Sequence, residues 1–263
     1  VVLVHLVVEC LIDAGECIGS IAPERLAAHV SSKRDEVDKV LNEYCTSGVP
    51  KVYKSNDELR LKCIQNNLRL LDMNVKHLGT DNNYLTMQNL INAIRASGTE
   101  LYSFYDCEKV EKQGSVYNLT YANGEVFEAA NVIIATGRSG ANFVADFCKS
   151  NGVKMRSNHI DIGVRVEMKD IIWREFSSKI YEPKILYKTK TFEDRCRMFC
   201  FNQGGLVSAE NNHGIITANG HSYAQPEKKT DNCNFAILSS IRFTEPFNQP
   251  TEYAENISRL ANM

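Results

Sequence analysis

Apolar positions along the chain change their spacing twice, and the changes mark out its organisation. Over residues 35 to 97 they recur at helical intervals: Val37, Val40, Leu41 and Tyr44, then Leu61, Ile64, Leu68 and Leu71, then Met87, Leu90, Ile91 and Ile94. Three helices are expected. Gly48-Val-Pro50 breaks the first, Asp57 stands at the N-cap of the second, and Gly98 ends the third in the left-handed conformation glycine tolerates.

The spacing then becomes that of strands. Leu101 to Val110 and Val116 to Tyr121 read as extended, and Asn123-Gly124 predicts a hairpin into Val126-Phe127. The unbroken apolar run Asn131-Val-Ile-Ile-Ala135 predicts a strand covered on both faces. It leads into Thr136-Gly137-Arg138-Ser139-Gly140, where glycines permit a tight turn and close approach of a ligand.

A third pattern begins near residue 151. His159 to Glu167 alternates, with Ile160, Ile162, Val164 and Val166 on one face and Asp161, Arg165 and Glu167 on the other. Strands are also predicted at Lys184 to Thr189, Arg197 to Phe201, Gly214 to Ala218 and Asn234 to Leu238, with a helix over Tyr253 to Met263. The fold class expected is α+β with α/β character. Residues 1–150 form a helical segment and a β-meander ending in a buried strand, and residues 151–263 form a mainly β domain.

Composition narrows the function classes. A net charge of −2 with a pI near 6.4 gives no electrostatic footprint for nucleic acid or an anionic membrane. The opening Val1-Val-Leu-Val-His-Leu-Val-Val run is too short to span a bilayer and lacks the flanks of a signal peptide. Nine scattered cysteines without a CxxC pair fit reduced thiols, hence a cytoplasmic protein. The sequons at Asn118 and Asn256 then read as chance. Both ends read as cuts in a longer chain, and residues 1 to 30 have no assignment.

Some residues carry candidate chemistry. Arg165, on the polar face of its strand, is either an ion-paired strand residue or a clamp for a substrate carboxylate, which suits the planar guanidinium fork. Asn219-Gly220-His221-Ser222 closes an apolar strand with a polar turn, making Asn219 a candidate substrate contact. His77 reads as a hydrogen-bonder fixing the turn at Gly79. Cys196, Cys200, His213 and His221 match no zinc template, so no metal is expected.

Several ordered stretches together carry a resemblance. They are Val75-Lys-His-Leu-Gly-Thr-Asp81, Val132-Ile-Ile-Ala-Thr-Gly-Arg-Ser-Gly-Ala141, Asp161-Ile-Gly-Val-Arg-Val-Glu167 and Tyr181-Glu-Pro-Lys-Ile-Leu-Tyr187. Thr189-Lys-Thr-Phe-Glu-Asp-Arg195, Arg197-Met-Phe-Cys200, Gly214-Ile-Ile-Thr-Ala-Asn-Gly-His-Ser-Tyr-Ala224, Asn234-Phe-Ala-Ile-Leu238 and Phe243-Thr-Glu-Pro-Phe247 extend it. Over about residues 35 to 263 the chain resembles the FAD-dependent, NAD(FAD)-utilising dehydrogenases of the glutathione-reductase-like superfamily.

The resemblance implies part of a Rossmann-like FAD-binding domain followed by a β-rich substrate or cap domain. It implies cofactor contacts from the strand holding Cys107 and Val110 and from Ala135, Thr136, Gly137 and Arg138. Flavin oxidation of a C–H bond calls for a nearby base, and His221 is the candidate. The substrate is expected to be a small molecule, and NAD(P)H as reductant is left open. The family's Gly-x-Gly-x-x-Gly and its later flavin-contacting glycine segment are absent, so residues 1–263 alone are expected to hold FAD weakly or not at all. Phe199-Cys-Phe-Asn-Gln203 also departs from a Phe-Cys-x-Cys-Pro pattern, which puts a thiol pair there in doubt. Two other readings remain: a ligand- or partner-binding module without flavin, and a flavin-dependent RNA-modifying enzyme, which the acidity disfavours.

Overall fold

A computed structural model describes residues 36, 39, 42–44, 52–53, 56–71, 75–76, 78–137, 140–155, 159–212, 214–247 and 249–263. Helices and antiparallel sheets make it an α+β protein. The described residues fall into two compact units: those up to 44 with 88–156, and those of 45–87 with 157–263. The later β-rich part thus takes in a helical stretch that precedes the meander in sequence. Val37, Val40, Leu41 and the Gly48-Val-Pro50 break lie outside the described residues.

Helix α1 (Asp57–Gln65) is capped one residue earlier than expected, by Asn56, whose Oδ1 accepts from the Leu59 N–H at 3.0 Å. Asp57 instead sits in the first turn, where its charge complements the helix dipole. The helix stops before Leu68 and Leu71, contrary to the periodicity. Asn67 turns left-handed at φ 57°, and the Leu68 N–H donates back to the Cys63 carbonyl at 2.8 Å. Leu68 still packs on the core, which is why its spacing mimics a helix. Helix α2 (Thr80–Ala96) ends at Gly98, at φ 81° as expected.

The first unit holds a meander of three short strands, β4 (Cys107–Gln113), β5 (Val116–Tyr121) and β6 (Val126–Ala129), after the two-residue strands β1 (Val52–Tyr53), β2 (Arg69–Leu70) and β3 (Val75–Lys76) of the other unit. The Asn123-Gly124 turn falls where predicted, with Asn123 Oδ1 accepting from the Glu125 N–H. Two expectations fail here. Residues 101–106 form no strand; Tyr102 and Tyr105 instead pack edge-on with each other and against Phe127. Nor do residues 131–136 form one: no described strand pairs with them, and Ile133 is 68% exposed. Val132 packs with Phe143 and Phe147 of α3 (Ala141–Ser150), a helix the sequence reading omits, onto the meander core of Val110, Leu119 and Tyr121.

The second unit is built on five antiparallel strands in the order β2-β8-β9-β12-β7. These include β7 (Ile160–Lys169), β8 (Ile185–Lys188), β9 (Arg195–Gln203) and β12 (Asn232–Ile241). The alternation read from β7 holds: Val166 and Met168 join Met198, Phe201, Cys233 and Phe235 against Leu59 and Cys63 of α1 and Trp173 of α4 (Asp170–Ser177). Val164, on the same face, is 64% exposed. The opposite face meets the hairpin of β10 (Leu206–Asn212) and β11 (Ile215–His221), and α5 (Pro250–Ala261) closes the chain.

Candidate functional site

The centre of the polar face is Arg165. On paired strands its neighbour is Ala236, and Asn234 lies two residues along β12 on the same face. Arg165 Nη1 donates to Asn234 Oδ1 at 2.7 Å and to the Cys200 carbonyl at 3.3 Å, and Nη2 reaches Asn219 Oδ1 at 3.5 Å. The first of these is a firm hydrogen bond and the last is marginal.

Parity along β9 explains how Asn202 joins this group. Phe199 pairs with Ala236 and so shares the face of Arg165; three residues later, Asn202 should point to the core. A β-bulge intervenes, with Cys200 and Phe201 both opposite Phe235, and Cys200 adopts φ 49°. One extra residue reverses every side chain that follows. Phe201 is thereby sent into the core, 2% exposed, and Asn202 into the polar face. Its Nδ2 donates to the Cys200 carbonyl at 2.9 Å and to Asn234 Oδ1 at 3.2 Å.

Strand β11 approaches from the other side. A Cβ on Gly220 would lie 2.2 Å from Asn234 Oδ1 and 2.3 Å from Arg165 Nη1, so only glycine permits this backbone to close on the cluster. Asn219 Nδ2 donates to Glu210 at 2.8 Å, which holds its Oδ1 toward the guanidinium. His221 lies two residues on, on the same face of β11.

Glu182 and Lys184 flank the bulge. The Glu182 carboxylate accepts from the Cys200 N–H, and burial pushes its pKa up against the pull of Lys184. Lys184 Nζ stands 4.0 Å from Glu182 and 4.9 Å from the Phe199 ring centroid. Burial also presses the Arg165 pKa below its usual value, although a guanidinium keeps its proton throughout the physiological range.

The structure therefore unites Arg165 and Asn219 and adds Asn202, Asn234, the Cys200 carbonyl and Glu210, which the sequence reading misses. One signal for Asn234 is visible in sequence: it is a fully buried amide inside the apolar run Cys233-Asn-Phe-Ala-Ile. His77, His213 and Arg138 lie outside the described residues. No group of three or more metal-binding side chains converges among the described residues, and no described helix is long and apolar enough to cross a membrane.

The expected cofactor contacts lie in the first unit. Val110 is 7% exposed and turned into the meander core, so only its backbone is available to a ligand. Cys107 is half-buried on the same edge strand, and burial raises its thiol pKa. Ala135 and Thr136 are half-buried, and Gly137 is exposed at φ 64°. Thr136 Oγ1 is buried with no hydrogen-bond partner among the described residues.

Those features match the adenosine end of a dinucleotide only in kind. The described residues contain no parallel strand pair, and the two glycines before α3, Gly137 and Gly140, follow no strand directly, so they do not make the strand–turn–helix cradle that holds a diphosphate. The chain matches no family model and no curated protein.

Proposed function

We propose that the protein is an FAD-dependent oxidoreductase acting by hydride transfer on a small molecule. The ordered sequence motifs support the reading. The structural observation that carries it is the three-stranded meander followed by Ala135-Thr136-Gly137, with an orphaned Thr136 hydroxyl beside an exposed glycine at φ 64°. When bound, the flavin would supply the redox chemistry.

This chain's own residues would divide the remaining tasks. The backbone at Cys107, Val110, Ala135, Thr136 and Gly137, with Arg138, would contact the nucleotide. The β-rich unit would carry the substrate, with His221 as the general base. Nicotinamide nucleotide is the reductant to try first, and a cytoplasmic site suits the free thiols.

The test is the flavin content of the protein isolated from its natural source. One FAD per chain, released on denaturation and bleached by NADH or NADPH, is the expected result. Protein without flavin would reject the reading. It would favour a ligand-binding module, which the missing diphosphate cradle among the described residues also favours.

A further inference from the structure

We infer that the polar face of the five-stranded sheet is a binding site for a carboxylate-bearing ligand, centred on Arg165. Charge is the first observation. The guanidinium is half-buried; it donates to a backbone carbonyl and two neutral amides, and the Cys200 thiol also lies beside it. No described carboxylate is in ion-pair contact with it; Glu210 reaches it only through the Asn219 amide. A buried cation ordinarily recruits an anion, since desolvation without one costs several kcal/mol by rough estimate.

Unused donors are the second observation. Arg165 Nε is buried without an acceptor, and so is Nδ2 of Asn234, a residue with no exposed surface. The orientation of the Asn234 amide is fixed, because its Oδ1 already accepts from Arg165 Nη1 and Asn202 Nδ2. The guanidinium thus meets only neutral acceptors directly, with surplus N–H groups beside it. The ligand that complements it brings lone pairs and negative charge in a plane, which describes a carboxylate.

The architecture shows that the group is built rather than incidental. The bulge at Cys200 turns Asn202 onto this face, and Gly220 gives up a side chain where any Cβ would strike three of its polar atoms. The inference does not need the flavin reading, because none of its residues is among the proposed nucleotide contacts.

The test is thermal unfolding of the 263-residue chain with sodium benzoate, sodium glutarate or sodium phosphate, against sodium chloride at equal ionic strength. A saturable rise in Tm with a carboxylate, absent with chloride, is expected. R165Q should weaken the half-saturating concentration by at least about tenfold, the scale of one lost charge-assisted hydrogen bond. N234D is the companion variant, since it supplies the missing carboxylate in the same shape and gives up only an unpaired N–H. It should melt no lower than the parent chain and lose the response. A rise that is linear in salt, a response to phosphate alone, or an unchanged response in N234D would each overturn the inference.

Discussion

The carbonyl of Cys200 accepts a hydrogen bond from Arg165 Nη1 at 3.3 Å, across two strands that are not neighbours in the sheet. Strand β12 lies between them, so the contact needs β9 to bend out of its regular path. The bulge supplies the bend. It also settles which face each later residue of β9 occupies, so one irregularity builds both the aromatic core and the polar cluster. Phe201 stacks with Phe235 at 6.2 Å on one side, while Asn202 reaches Asn234 at 3.2 Å on the other.

A non-glycine residue at φ 49° is strained, and that strain should be measurable. In C200G the strain is relieved while the unfolded chain gains freedom, so stability should stay within about 1 kcal/mol of the parent. In C200V a β-branched side chain must take the same backbone conformation, at a cost of about 2 kcal/mol. Urea midpoints of the two variants check this. Equal midpoints would mean that the bulge residue relaxes on substitution.

Closure of β11 on the cluster rests on Gly220. The neighbours a Cβ would meet are the polar ends of Asn234, Arg165 and Asn202, all held by one another, so none can retreat cheaply. G220A should cost about 1–3 kcal/mol, the usual range for overpacking, seen as a lower Tm. Gly214 is the control. A Cβ there meets nothing within 4 Å, although φ is 83°, so G214A should cost only about 1 kcal/mol of backbone strain.

Much of the second unit was legible in the sequence because strand alternation is local. Ile160 to Glu167 announces its two faces, and Arg165 stands out on the polar one. The partners of Arg165 were not legible. Asn234 and Asn202 arrive through long-range register, and the bulge that delivers Asn202 is made by a cysteine, a residue with no preference for left-handed backbone. The run at 131–135 misled for a related reason. Apolar content announces burial, yet a strand exists only where another strand pairs with it, and Val132 is only partly buried, by side-chain packing alone.

Asp81 ties the start of α2 to the loop after β11. Its carboxylate accepts from the Ala224 N–H at 2.9 Å and the Gln225 N–H at 3.2 Å, and these bonds lower its pKa below the ordinary 3.8. A carboxyl with a depressed folded pKa contributes stability above its unfolded value and loses it as pH falls through the folded one. Stability should therefore drop below pH 3.8 in the parent chain by more than in D81N. Urea midpoints taken on both sides of that pH are the check. Parallel profiles for the two proteins would show that the strap contributes nothing that titrates.

Cys233 should be the least reactive thiol of the second unit. It has no exposed surface, and burial, with Asp170 nearby, pushes its pKa up to about 11. The thiolate is the nucleophile, so both its scarcity and its inaccessibility protect it. Iodoacetamide at pH 8 should alkylate Cys196, which is half-buried, well before Cys233 or the 2%-exposed Cys63. Peptide mass spectrometry reads the order directly, and unfolding in urea should erase it. The raised pKa also has a thermodynamic consequence. The native state holds this proton to higher pH than the unfolded chain, so stability should fall as pH climbs above 9.0 toward about 11. In C233A that alkaline loss should shrink, whereas an unchanged slope would assign it to other groups.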